Sequence, residues 1–276
     1  MEEGSVRSQV EDGQALLTID RPAARNALSA DAVQALREAL AAAEADPRVR
    51  VVVLTGAGER IFSAGGDLGA STHAPPRSPE DDRPLLEVRR DGVAAAQGLR
   101  SGYGALLEAI AGSPLPVVAR VNGHALGGGL GLVLACDLAV AVDSAELGTP
   151  EIDVGLFPMM VLAWLRRHVG RKRALQLILT GERLTASEAL SWGLVNRVVP
   201  RAELDQTTRG LAAKLAGKSR AILSLGKSAF QGAEDLSLGP AMDFLAAQLS
   251  VALGTEDAAE GIAAFLERRP PRWKDR

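Results

Sequence analysis

The chain predicts an α/β core followed by a purely helical region, and three observations carry that prediction. Val49–Leu54, Pro116–Val121 and Leu138–Val142 are apolar runs rich in β-branched residues, the pattern of strands covered on both faces. Helical segments alternate with them, which favours parallel pairing. After Pro200 no strand pattern remains, and helices are read over roughly 202–215, 218–231, 236–250 and 255–268. The chain therefore divides into a core, residues 1–200, and a C-terminal helical region, residues 201–276.

The elements follow in order. Val6–Val10 and Ala15–Ile19 flank Asp12-Gly13, a two-residue hairpin turn. Ser29 is placed to cap a helix over Ala32–Ala45, with Asp31 in the first turn, where the helix dipole favours an acid. Asp46-Pro47 stops that helix. Residues 70–92 hold Pro75, Pro76, Pro79 and Pro84 among charges, without periodicity, and read as a surface loop. Thr185 and Glu188 form a capping box that opens a helix to Trp192.

Composition narrows the function. Of 276 residues, 47% are hydrophobic and 24% charged, as in a soluble globular protein rather than a disordered one. Aromatic residues are only 3%, too few for a base-stacking surface, and a net charge of −3 attracts no polyanion, so no nucleic-acid partner is expected. The single cysteine, Cys136, excludes an internal disulfide, and His73, His124 and His168 stand at no metal-binding spacing. No apolar run reaches the ~20 residues of a membrane span. With an acidic, polar start at Met1–Gly4, the expected location is cytoplasmic.

Ten of the 29 glycines lie in two stretches, Gly56–Gly69 and Gly123–Gly131, each following a buried run. Glycine in such turns allows close approach of a ligand, and free amides at a helix start attract negative charge. The dinucleotide, phosphate-loop and nucleophile-elbow patterns all fail: Ile61 and Leu132 replace the third glycine of G-x-G-x-x-G, for instance. The turns must serve another anion.

Val117–Gly129, read as VVARVNGHALGGG, resembles the signature of the enoyl-CoA hydratase/isomerase (crotonase) family. So do Arg21-Pro22 with Asn26-Ala27-Leu28, Phe62–Leu68, Ala135-Cys136-Asp137, Thr149-Pro150-Glu151 with Gly155, Leu179-Thr180-Gly181 and Gly193-Leu194-Val195, in the family's order along nearly the whole chain. The resemblance implies a crotonase-like spiral of β-β-α units with a C-terminal helical trimerisation region. It implies a homotrimer or dimer of trimers, an acyl-CoA thioester as substrate and no separate cofactor, coenzyme A being part of the substrate. By position, the amides of Gly66 and Gly128 would form the oxyanion hole for the thioester oxygen. Arg25, Ala27, Ala64, Asp67 and Leu68 would touch substrate or coenzyme A, and Gly69 stands where a lysine is common.

The family's hydratases use two glutamates. Here the second is Glu151, whereas the first position is Gly131. Hydration profits from two groups around a water, and a C3=C4 to C2=C3 double-bond shift needs a single base, so isomerase or slow hydratase activity is expected. A glutamate introduced at Gly131 is expected to raise hydration. The alternatives are decarboxylase- or dehalogenase-type chemistry on another acyl-CoA, and a silent acyl-CoA binder or RNA-associated scaffold. His124 and Cys136 are expected to pack, His168 to close a helix, and Asp137 and Asp143 to tie strand ends. His73 is read as a solvated loop residue. Met159, Met160, Leu162 and Trp164 either wall an acyl pocket or pack the core. The basic tail, Arg268, Arg269, Arg272 and Lys274, is either solvated or approaches a neighbour's coenzyme A.

Overall fold

In the computed structural model, which describes residues 5–67 and 93–276, the chain opens on a hairpin of β1 (Val6–Glu11) and β2 (Gln14–Ile19). Asp12 and Gly13 both take positive φ, 48° and 76°, as a tight two-residue turn between twisted strands requires. Ser29 Oγ accepts from Ala32 N and caps α1 (Ala30–Ala45).

From β3 the chain repeats one operation. β3 (Val51–Gly56), β5 (Val117–Val121) and β7 (Leu138–Val142) lie side by side and parallel in a larger sheet of order β1-β2-β3-β5-β7-β10, with β10 at Arg197–Val199. Each is followed at once by a short strand: β4 (Ile61–Ser63), β6 (His124–Leu126) and β8 (Glu146–Gly148). These join β9 (Arg183–Thr185) in a second sheet of order β4-β6-β8-β9. Strands therefore leave the first sheet in the same order in which they enter the second, the spiral of β-β-α turns that the sequence motifs imply. The three-residue strands are too short to show alternation, so periodicity alone does not reveal the second sheet.

The large sheet is covered on both sides. Val52 and Leu54 pack into the main core with Leu36 and Leu40 of α1 and Leu106 and Leu107 of α2 (Ala105–Gly112). Val51, Val53 and Val118 face Ala212, with Leu211 and Leu215 beside it. These three belong to α7 (Arg201–Ala216), so the first C-terminal helix roofs the outer face of the sheet. Two-sided cover is the reason every residue of β3 is buried.

The elements between are α3 (Gly128–Ala135), α4 (Met159–His168), α5 (Arg171–Thr180) and α6 (Ala186–Trp192), the last with the expected capping box. After α7 come α8 (Arg220–Glu234), α9 (Leu238–Leu253) and α10 (Glu256–Leu266). Every residue of α3 is buried, whereas α9 buries none. The readings placed on Leu68, Gly69, His73 and the loop 70–92 fall outside the described residues.

Candidate active site

Two buried asparagines fasten the first glycine stretch in place. Asn26, at φ 54°, donates from Nδ2 to the carbonyls of Ala57 (3.0 Å) and Ile61 (2.8 Å), while its Oδ1 accepts from Arg21 N (3.1 Å). Asn122, at the end of β5, accepts from Gly56 N (3.1 Å) and donates to Gly58 O (2.8 Å). Sequence reasoning quotes both only as letters of a motif. An uncharged polar side chain at the edge of an apolar run, next to glycines, is the signal that marks them as turn anchors.

The turn after β4 then meets Leu28 in a single parallel bridge at Gly66. Leu28 N donates to Gly65 O (2.8 Å) and Asp67 N to Leu28 O (3.3 Å). A parallel bridge uses the groups on either side of its central residue, so the Gly66 N–H is turned away from Leu28. Across from it stands Gly128, the first residue of α3, whose amide belongs to the helix turn that has no internal acceptor. Among the described residues neither amide donates to a backbone carbonyl.

Gly65 brings the two turns together. Its φ is 89°, and a Cβ there would stand 2.8 Å from both Gly128 N and Leu126 O. Any side chain would push against the peptide that carries the second amide, and the backbone conformation is one that glycine adopts without strain.

Glu151 meets the second turn at Gly127. It sits in the 3-10 turn Pro150–Val154 that follows β8, where Leu156 N donates to its carbonyl (2.9 Å). The preceding Thr149 is buried and donates from Oγ1 to Leu177 O (3.3 Å). The Glu151 carboxylate lies over Gly127: a Cβ on that glycine would be 2.5 Å from Oε1 and 3.5 Å from Oε2. Oε2 is buried without a hydrogen-bond partner. Burial pushes the Glu151 carboxyl above its usual range, with its own backbone N–H pulling weakly back.

A residue outside every motif completes the wall. Tyr103, the chain's single tyrosine, donates its hydroxyl to Gly128 O (2.6 Å). It stands in a π turn, Arg100–Gly104, continuous with the helical segment 93–99. Burial first, and then the charge of Glu151, raise its pKa far above that of a free phenol, so it stays neutral.

The other expected contacts are placed as follows. Arg25 is exposed at φ 54°, and its carbonyl accepts from Ala64 N (3.1 Å). Ala27 is buried, with its carbonyl held by Arg21 Nη1 (2.6 Å). The same Arg21 nitrogen pairs with Asp67 at 2.9 Å, so the acid ties the Ala27 loop to the Gly66 turn. His124 Nδ1 accepts from Glu146 N (3.0 Å), and His168 ends α4 with Nδ1 2.9 Å from Trp164 O, both structural as expected. Asp137 accepts from Val117 N (2.6 Å) at the foot of β5 and pairs with Lys227 (2.6 Å). Cys136 is buried.

Met160 and Trp164 line a groove of about 970 Å³ with Leu107, Leu134, Lys227 and Phe230, while Met159 faces outward and Leu162 packs on the core. Neither Gly66, Gly128 nor Glu151 lines that groove. In the tail, Arg269 pairs with Glu260 and Glu267, and Lys274 with Glu256. Among the described residues no three His, Cys, Asp or Glu side chains cluster as a metal site, and no helix is long and apolar enough to cross a membrane.

A family model described as enoyl-CoA hydratase/isomerase matches residues 9–276. The chain belongs to the enoyl-CoA hydratase/isomerase family. Within that family it is 34% identical over 270 residues to the short-chain-enoyl-CoA hydratase of Clostridium acetobutylicum, covering 98% of this chain and 97% of that one. It is 34% identical over 260 residues to the crotonyl-CoA hydratase of Syntrophomonas wolfei, covering 94% of each. The crystal structure of human enoyl coenzyme A hydratase domain-containing protein 3 superposes with a TM-score of 0.86 at 33% identity, over 98% of this chain and all (100%) of that one. A family fold of this kind explains why two turns far apart in sequence pack together at Gly65 and Gly128, with Glu151 beside them at Gly127.

Proposed function

We propose that this enzyme of the hydratase/isomerase family acts on an enoyl-CoA thioester through an enolate. The thioester oxygen accepts from Gly66 N–H and Gly128 N–H, and Glu151 carries the proton to or from Cα. Main-chain donors suit the task because they are rigid and do not titrate, and loss of one such donor typically costs about 3 kcal/mol of transition-state stabilisation. Gly128 N at the start of α3 adds the positive end of the helix dipole. Arg25, Ala27, Ala64 and Asp67 form the strip along coenzyme A, with exposed Arg25 as the phosphate contact. No cofactor beyond the thioester is required by this scheme.

The single observation that carries the reading is the buried, unpartnered Oε2 of Glu151, whose carboxylate lies over Gly127 where Gly65 packs against Gly128 N. A carboxylate oxygen left without a partner costs stability and has no use in a silent binder. With Gly131 in place of a second acid, a C3=C4 to C2=C3 shift is the favoured reaction, and hydration is the slower one.

The test is Glu151→Gln assayed on matched 2-enoyl- and 3-enoyl-CoA series, with products identified by mass. Turnover should fall roughly a hundredfold to ten-thousandfold while binding of the CoA thioester persists. Unchanged turnover would remove Glu151 from the chemistry.

A further inference from the structure

The space that Gly131 vacates is already occupied. A Cβ at position 131 would overlap the Tyr103 hydroxyl and stand 3.3 Å from Tyr103 Cζ and 3.2 Å from Val161 Cγ2. The phenol thus fills the slot into which a side chain at 131 would project. It lies on the same Gly127–Gly131 turn that the Glu151 carboxylate meets at Gly127, and it senses the Glu151 charge.

The hydroxyl's only proton is committed to Gly128 O at 2.6 Å. To any further partner it offers lone pairs alone, so it can accept but not donate. Glu151 Oε2 is likewise a buried acceptor without a donor. Two acceptors on one glycine turn, Tyr103 at Gly128 and Gly131 and Glu151 at Gly127, are satisfied together by a small molecule with two protons, and water is that molecule.

We propose that Tyr103 holds the reacting water of hydration in place of the missing second carboxylate, as an acceptor whose own proton stays on Gly128 O. This rests on the enolate reading above. The water gives one hydrogen bond to Tyr103 Oη and the other to Glu151. Its oxygen forms a bond to C3, and the C2=C3 pair moves onto the thioester oxygen at Gly66 and Gly128. Glu151 takes the water proton and returns it to C2, so one water is added and nothing is oxidised or reduced. A phenol oxygen is a weaker acceptor than a carboxylate, which keeps hydration slow without abolishing it. The double-bond shift uses Glu151 alone and does not involve Tyr103.

Tyr103→Phe separates the two reactions. Hydration of a 2-enoyl-CoA should lose about a hundredfold in kcat with little change in KM, at least about tenfold more than isomerisation of a 3-enoyl-CoA loses. A merely structural role, through the bond to Gly128 O, would lower both rates together and would overturn the proposal. Gly131→Glu alone, which the sequence suggests as a gain, should instead clash with the hydroxyl and fail. Equal hydration by Tyr103→Phe and the unsubstituted chain, or isomerisation by that chain without hydration, would refute the role of Tyr103 and leave the enolate reading standing. Absence of both reactions in the unsubstituted chain would sink both.

Discussion

At Glu151 stability and chemistry make opposite demands. Burial raises its pKa above the 4.5 of a free glutamate, so the native state holds this proton more tightly than the unfolded chain does. The sign follows: for an acid with a raised value, native stability is lost as pH climbs from 4.5 through the folded value. At neutral pH the ionised side chain therefore weakens the fold. Glu151→Gln should unfold at a higher temperature at pH 7 than the unsubstituted protein, even as it loses turnover, and thermal melts read this directly. The base works only when ionised, so activity should rise with pH, with the acid limb of kcat/KM lying above 4.5. A limb at or below that value would mean that the working carboxylate is solvated and is not Glu151.

Among the elements, the site depends on how closely the two glycine turns approach. Gly129, in the first turn of α3, lies against the backbone of Ser63: a Cβ there would overlap the Ser63 carbonyl oxygen and sit 2.9 Å from Ser63 C. Neither partner is a flexible side chain. Gly129→Ala must therefore push α3 away from β4 and widen the gap between the Gly66 and Gly128 amides. The expected result is a loss of kcat of roughly a hundredfold or more, as for loss of an oxyanion donor, with circular dichroism unchanged. Asn26 supports the same geometry by a different route. Asn26→Ala removes the donor to Ala57 O, the shorter of two donors to Ile61 O and the acceptor of Arg21 N in a buried place, and leaves alanine at positive φ. Urea unfolding should show a loss on the order of 3 kcal/mol. Both tests address the scaffold and leave the proton carrier untouched.

On the scale of the whole molecule, α9 and α10 pack on α8 and the C-terminal tail but each leaves an apolar face uncovered within one chain. Leu238, Met242, Leu245 and Leu249 are all exposed and recur at helical spacing along one face of α9, and Ile262, Phe265 and Leu266 are exposed on α10. A contiguous apolar face of this size marks an association surface. We propose that further copies of the chain cover it, as a homotrimer or dimer of trimers. Sedimentation should give a mass near three or six times 28.8 kDa, and Leu249→Glu should shift it to the single chain. A monomer at micromolar concentration would contradict the assignment.

Much of this was legible in the residues themselves. The hairpin at Asp12-Gly13, the caps at Ser29 and Thr185, the fully buried β3 and the four C-terminal helices all follow from local rules: turn propensity, capping and hydrophobic period act over a few neighbours. The motif order marked Gly66, Gly128 and Glu151 as positions to watch, although spacing could not show that Gly65 packs on the Gly127–Gly128 peptide. The second sheet stayed hidden because its strands are three residues long and take their meaning from partners in other turns of the spiral. Tyr103 stayed hidden for a related reason. Its neighbour Gly131 is 28 positions away, and an absent side chain leaves no trace in a sequence of what fills its space. Local chemistry thus determined the elements, and the resemblance to the family's motifs marked the candidate acid. Tertiary packing alone decided which group fills the space at Gly131, because close contact is a property of volumes in space and not of order along the chain.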